Sequence, residues 1–150
     1  MVPEISVYLP NVPGQFSRVL KALASDNLNI SGFSVDLQGA MSELRLLFRD
    51  AAEAARAQGA LDKFQYYTVP SQLLLLSRPH EPGELLKVAE VLGKNGINVQ
   101  YGYVAIGETE SGEVLLAIRV EKDKEQLARD LLAAQGIKDY DAIPAKPHRS

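Results

Sequence analysis

The chain has 150 residues, of which 46% are hydrophobic and 23% charged, and its formal net charge is −3. This balance is typical of a soluble globular protein and argues against nucleic acid as a partner. Because the chain has no cysteine, disulfide bonds and cysteine-based metal sites are excluded. The N-terminal segment lacks the features of a signal peptide, and the longest aliphatic run, Leu73 to Leu76, is too short to cross a membrane. We therefore expect a cytoplasmic protein.

The second half of the sequence repeats the first. When Pro13 and Gly14 are aligned with Pro82 and Gly83, the same offset also aligns Val19 with Val88, Leu23 with Leu92 and Asn29 with Asn98. Further along, the best match shifts by one residue and aligns Glu43 with Glu113 and Leu46 with Leu116. The extra residue would fall in the polar stretch 107–112, which is typical of a hairpin loop, where an insertion costs little. We infer an internal duplication.

Each copy predicts the element order β-α-β-β-α-β. The first copy predicts a strand at 5–9, a helix after Pro13-Gly14, strands at 29–37 and 43–48, a helix near 51–61 and a short strand near 65–69. Its first helix carries an apolar stripe of Phe16, Val19, Leu20 and Leu23. The second copy predicts a strand through Leu73–Leu76, a helix after Pro82-Gly83, strands at 97–106 and 113–119, a helix at 123–134 and a short strand near 138–142.

This order defines the fold class α+β, with two ferredoxin-like βαββαβ units whose antiparallel sheets carry helices on one face. The predicted units are residues 1–70 and 71–143, followed by a disordered tail at 144–150 that is rich in proline and charge. Units of about seventy residues are marginally stable alone. Because two helices cover only one face of a sheet, we expect the two units to pack together and the chain to form a homodimer.

The turn from the first strand to the first helix is the repeated feature with the most chemical content. It reads Asn11-Val12-Pro13-Gly14-Gln15-Phe16 in the first copy and His80-Glu81-Pro82-Gly83-Glu84-Leu85 in the second. The free N–H groups of a first helical turn suit a carboxylate or another anion, although Pro-Gly also suits a plain helix start. Asn29 and Asn98, at the predicted starts of the second strands, either bind a ligand through their amides or cap a turn.

These turns, together with Leu28-Asn29-Ile30 and Ile97-Asn98-Val99, resemble the ACT domain over about residues 3–142. The resemblance implies a regulatory ligand sensor. ACT units usually accompany an enzyme or a transcription regulator, but the two units leave no room for a catalytic domain in these 150 residues, so we expect a free-standing, non-catalytic protein without a cofactor or metal. An amino acid would bind where the loop of one ACT unit faces the second strand of its neighbour, and a regulated enzyme would be the partner. The implied ligand-binding residues are Asn11, Val12, Pro13, Gly14, Gln15, Phe16, Asn29 and Ile30, with His80, Glu81, Pro82, Gly83, Glu84, Leu85, Asn98 and Val99. His80 replaces Asn11 in the second copy, so the two sites need not be equivalent.

Two alternatives remain open at this point. No nucleophile elbow or phosphate loop is found in the sequence, but Arg78 precedes the second loop, where an acylphosphatase-like hydrolase needs an arginine. The other alternative is a protein-interaction adaptor with degenerate ligand sites.

Overall fold

The computed structural model describes residues 1–109 and 112–144. The chain divides into two compact units: a first unit, Pro3–Ser71, and a second unit, formed by Met1–Val2 and the chain from Gln72 onward. Of the predicted disordered tail, residues 145–150 lie outside the described residues. Within the described part, no helix combines the length and apolar character needed to span a bilayer.

The first unit follows the predicted element order. It contains β1 (Val2–Pro10), α1 (Gln15–Ser25), β2 (Gly32–Gln38), β3 (Met41–Leu47), α2 (Ala51–Lys63) and the start of β4 (Tyr67–Pro79). β3 lies between β1 and β2 and is antiparallel to both, with Leu46 opposite Ile5 on one side and Phe33 on the other.

The core of the first unit lies between this sheet and its two helices. Residues 2–7 of β1 are all buried, and Ile5, Val7 and Leu9, which share one face of the strand, lie in this core. They pack with Val19 and Leu23 of α1 and with Leu61 of α2. Of the stripe predicted on α1, Val19 and Leu23 are buried, whereas Phe16 at the helix start is exposed.

The second unit repeats this arrangement. Gln72 to Pro79 of β4 is followed by α3 (Glu84–Lys94), β5 (Val99–Ala105), β6 (Glu113–Val120), a 3-10 turn (Lys122–Lys124) and α4 (Glu125–Ala134). β6 lies between β4 and β5 and is antiparallel to both. The core of the second unit includes Leu74, Leu76, Val88, Leu92, Ile118, Val120, Ala128 and Leu132. The predicted α+β class, with antiparallel sheets and helices on one face of each, is confirmed.

Two predicted short strands differ from the structure. The strand near 65–69 and the strand through Leu73–Leu76 form one continuous strand, β4. The strand near 138–142 is reduced to one antiparallel bridge between Leu76 and Asp139. There the Asp139 carboxylate accepts a hydrogen bond from the Leu75 N–H at 2.9 Å and pairs with Arg129 at 2.9 Å. The Asp139 side chain thus accepts the hydrogen bond of the Leu75 N–H, which in a longer strand ladder would be donated to a backbone carbonyl oxygen.

The strand register also corrects the alignment of the two copies beyond the second strand. Pro10 lies opposite Met41, and its counterpart Pro79 lies opposite Glu113. Glu113 is therefore the counterpart of Met41 rather than of Glu43, and the second hairpin is longer by three residues, not by one. The two alignments differ by two residues, which preserves the alternation of a strand. The pattern of apolar residues in the sequence therefore could not distinguish the two alignments.

Candidate functional site

The two predicted loops have the same backbone geometry. Gly14 directly precedes α1 with φ 90° and ψ −12°, and Gly83 directly precedes α3 with φ 89° and ψ −11°. Only glycine readily adopts this left-handed conformation, which explains why a glycine directly precedes the helix in both copies. Neither helix start has a side-chain cap. The first-turn N–H groups, which have no partner within a helix, therefore lack a capping side chain here.

In the first loop, Asn11 is held by the β2–β3 hairpin. Its backbone N–H donates to the Ala40 carbonyl oxygen at 2.9 Å, and its side-chain Nδ2 donates to the Gly39 carbonyl oxygen at 3.2 Å. The Ser17 hydroxyl donates to the Gly14 carbonyl oxygen at 2.9 Å. Asn11, Val12, Pro13 and Gly14 are exposed, and Gln15 is half-buried. Asn11 thus fixes the loop through the amide that was predicted to bind a ligand.

In the second loop, the His80 N–H donates to the Gly112 carbonyl oxygen at 2.7 Å, and the His80 side chain is exposed. Glu81, Pro82 and Gly83 are also exposed, whereas Glu84 is buried.

The Glu84 carboxylate pairs with the Lys87 ammonium group and the Arg78 guanidinium group. Hydrogen bonds from Lys87 and Arg78 hold the pKa of the Glu84 carboxyl below its usual range. Because Glu84 already engages Arg78, an external phosphate would have to compete with a fixed carboxylate for this arginine. The geometry therefore gives no support to the hydrolase alternative.

Asn29 and Ile30, predicted at the start of the second strand, lie away from the loop of their own unit. β2 begins at Gly32, so Asn29 precedes the strand instead of opening it, and Ile30 packs half-buried against the core. The Asn29 N–H donates to Glu53 Oε1 at 3.3 Å. Since β1 and β2 are both antiparallel to β3, the start of β2 lies at the end of the sheet opposite the first loop. Seven strand residues span about 20 Å, so one unit does not bring Asn11 and Asn29 together.

The same holds in the second unit for Asn98, which is exposed and directly precedes β5. Val99, by contrast, is the first residue of β5 and lies on an apolar groove together with Leu85 of the second loop. Of the predicted residues in this unit, these two line one common cavity.

This groove, called here the Gly102 groove, lies between α3 and the β5–β6 hairpin. Its volume is about 410 Å³, and its walls include Leu85, Val88 and Ala89 of α3 and Val99, Gly102 and Val104 of β5. Among the described residues, none of those that line it is charged. Leu85 belongs to both the first turn of α3 and the groove, so the helix N-terminus and the apolar cavity meet at this residue.

The corresponding place in the first unit is occupied by an aromatic pair. The rings of Phe16 and Phe33 have their centroids 5.7 Å apart. Phe33 lies opposite Leu46 on β3, just as Gly102 lies opposite Ile118 on β6. Sequence reasoning did not single out Phe33, Ala89 or Gly102. The signal was available, because the repeat offset aligns Phe33 with Gly102 and Leu20 with Ala89.

Among the described residues, no group of three histidines, cysteines, aspartates or glutamates could hold a metal ion. The candidate site that the geometry defines in this part of the chain is a helix start beside an apolar cavity.

Comparisons with solved structures define the class of fold. The chain is similar to protein BT0572 from Bacteroides thetaiotaomicron, with a TM-score of 0.78 and 21% identity over 91% of this chain and 90% of that one. Further solved structures are also similar to this chain, and they confirm the fold that the ACT resemblance implies.

Two of these further structures are regulatory or kinase subunits. One is the ligand-free regulatory subunit of aspartate kinase from Thermus thermophilus, with a TM-score of 0.65 and 14% identity over 89% of this chain and 91% of that one. The other contains the alpha and beta subunits of an aspartokinase, with a TM-score of 0.60 and 19% identity over 88% and 90%. At these identities the likeness concerns the fold. No family model matches the chain, and no curated protein matches it.

Proposed function

We propose that this protein is a non-catalytic regulatory protein of the ACT type that binds a free amino acid. The observation that carries the proposal is the position of Leu85, which joins the uncapped start of α3 to the Gly102 groove. A helix N-terminus attracts a carboxylate through its free N–H groups and its dipole. An adjacent apolar cavity suits a side chain. An amino acid presents both groups within one small molecule.

The regulatory part of the proposal is supported by analogy of fold. The similar structures include a regulatory subunit of aspartate kinase. Fold alone does not determine function, so binding has to be measured directly. By the same analogy, the protein would act in the cytoplasm as a homodimer on an enzyme partner. In the homodimer, loop residues of one chain would face an ACT unit of the other chain.

The direct test is a thermal melt in the presence of each of the twenty amino acids. A ligand at one hundred times its dissociation constant adds about 2.7 kcal/mol of stability to the folded state, which raises the melting temperature measurably. We expect at least one amino acid to raise it. If none of the twenty does so at millimolar concentration, the proposed function is wrong.

A matched pair of variants tests whether the carboxylate binds at the start of α3. Leu86 and Leu127 are both exposed and are both third residues of their helices, α3 and α4. A glutamate at either position suits the helix dipole and should not unfold the protein. Leu86→Glu places a negative charge beside the proposed carboxylate site, so we expect at least tenfold weaker binding, whereas Leu127→Glu should bind as the parent does. Equal affinities for both variants would place the ligand elsewhere.

The homodimer rests on a separate surface. Phe33, Val35 and Leu37 of β2 are 54%, 48% and 64% exposed, an unusual run of apolar side chains on one strand. We expect light scattering to give the mass of two chains for the parent and of one chain for Val35→Lys. A single-chain mass for the parent protein contradicts the dimer without affecting the ligand proposal. If the dimer persists in Val35→Lys, this strand is not the dimer contact.

A further inference from the structure

We propose that the Gly102 groove binds the aromatic ring of a small ligand, so that the protein selects an aromatic amino acid over small or charged ones. The inference deepens the proposed function by naming the class of ligand. It concerns a cavity within the second unit alone, and it starts from a difference between the two copies of the repeat.

Three positions around the groove carry smaller residues than their counterparts in the first unit. Leu85 corresponds to Phe16, Ala89 to Leu20 and Gly102 to Phe33. The first two pairs follow from the repeat offset along the first helix of each unit. The third also follows from the strand register, which places Phe33 opposite Leu46 and Gly102 opposite Ile118. Each change removes bulk from a wall of the groove, whereas Tyr103, which also lines it, is larger than its counterpart Ser34.

The backbone at Gly102 keeps the cavity open. A Cβ atom at this position would lie 3.0 Å from the carbonyl oxygen of Ala117, which is closer than an ordinary contact. A larger residue here would require the strands to shift. The close approach of β5 to β6 therefore favours glycine, and glycine leaves the surface beside α3 without a side chain.

The first unit shows what fits such a place. There a phenylalanine ring, that of Phe33, packs against Phe16 with a centroid distance of 5.7 Å. In the second unit this ring is missing, and a cavity of about 410 Å³ with uncharged walls remains. This volume falls within the range of roughly 300–1,000 Å³ that small-molecule sites have in proteins. An aromatic ring brings a large apolar area and needs no polar partner in the cavity. An external ring therefore replaces the one that the second copy lacks.

The test compares ligands by calorimetry on the full chain. The probes are phenylalanine, alanine, aspartate, lysine and 3-phenylpropanoate, which carries the ring and the carboxylate without the amino group. We expect phenylalanine to bind at least tenfold more tightly than alanine, aspartate or lysine. We expect 3-phenylpropanoate to bind measurably as well.

The matched variants are Ala89→Leu and Ala55→Leu. Ala89→Leu restores the residue of the first copy and fills the groove from α3, while Ala55→Leu makes the same change at an exposed position of α2. Leucine favours helix at both sites, so both variants should fold, which circular dichroism verifies. We expect Ala89→Leu to weaken phenylalanine binding at least tenfold and Ala55→Leu to leave it unchanged.

The outcomes separate this inference from the proposed function. If 3-phenylpropanoate binds in an Ala89-dependent manner but no amino acid does, the groove is correct and the amino-acid proposal is wrong. If alanine, aspartate or lysine binds as tightly as phenylalanine, or if Ala89→Leu has no effect on affinity, the groove inference is overturned. It is also overturned if Ala89→Leu changes the mass of the protein in light scattering and leaves affinity intact, because the groove would then join two copies of the chain.

Discussion

The surface between α1 and β2 in the first unit and that between α3 and β5 in the second are built on the same framework but end differently. Both begin with a left-handed glycine, and both cover a core of buried strand and helix residues. The first surface is filled by the pair Phe16–Phe33, whereas the second retains the Gly102 groove. A duplicated fold can therefore preserve its scaffold while one copy keeps a cavity that side chains fill in the other.

The variants with the largest expected effect test whether the cores of the two units contribute equally to stability. Leu23 of α1 and Leu92 of α3 are counterparts, and both are fully buried. We expect Leu23→Ala and Leu92→Ala each to lower the free energy of unfolding by about 2–5 kcal/mol, because each leaves a cavity in its core. Urea denaturation measures both values. A loss below about 1 kcal/mol for only one of them would show that the two cores are not equivalent.

The second helices provide an intermediate effect that should differ between the units. Asp50 caps α2 by accepting a hydrogen bond from the Glu53 N–H at 2.9 Å, while α4 has no side-chain cap at Lys124. We expect Asp50→Ala to cost about 1 kcal/mol and Lys124→Ala to be nearly neutral in the same denaturation assay. Asp50→Asn serves as the control, since asparagine caps equally well. Equal losses of unfolding free energy for the two alanine variants would contradict the expected difference between α2 and α4.

The aromatic pair should contribute a smaller amount. Phe33→Ala removes the contact with Phe16, and since Phe33 is already half exposed, we expect a loss of about 0.5–1.5 kcal/mol. In the variant Phe16→Ala/Phe33→Ala the two losses should not add, because each single change already removes the pair. Additive losses would show that the rings do not stabilise one another.

The smallest effect concerns acid sensitivity at the second loop. Glu84 corresponds to Gln15, so Glu84→Gln gives the second loop the residue of the first. In the folded protein the pKa of Glu84 lies below its usual value near 4.5, so the carboxylate stabilises the fold above that pH. This stabilisation is lost as the pH falls through the folded-state pKa. We therefore expect Glu84→Gln to melt slightly below the parent at pH 7, with the difference vanishing in strong acid. A difference that grows in acid would reverse the assigned sign.

Much of the fold was predictable because its signals are local and repeated. The apolar stripe ending at Leu23 and the Pro13-Gly14 start marked α1, and the same pattern marked α3. The prediction of a strand near 138–142 was wrong, because the carboxylate of Asp139 interrupts the ladder there through a contact between residues distant in sequence. The hairpin insertion was misjudged because alternating apolar residues match at two registers.

The candidate site was only partly predictable. The motif located the two loops but could not show that the Asn11 amide is bound to Gly39 or that Glu84 is engaged by Arg78. Those contacts depend on how the hairpin and the helix meet in space. The repeat offset aligns Gly102 with Phe33, but only the packing of β5 beside α3 shows that the missing side chain leaves a groove.

The ring of Phe33 acts as an occupant that the chain itself supplies. A tethered group is present at an effective concentration that free solutes in a cell rarely reach, commonly millimolar for short connections. On the proposed binding model, the first unit would keep its own ring in place and only the second unit would respond to the level of a free ligand. A titration of the protein should accordingly saturate at one equivalent per chain.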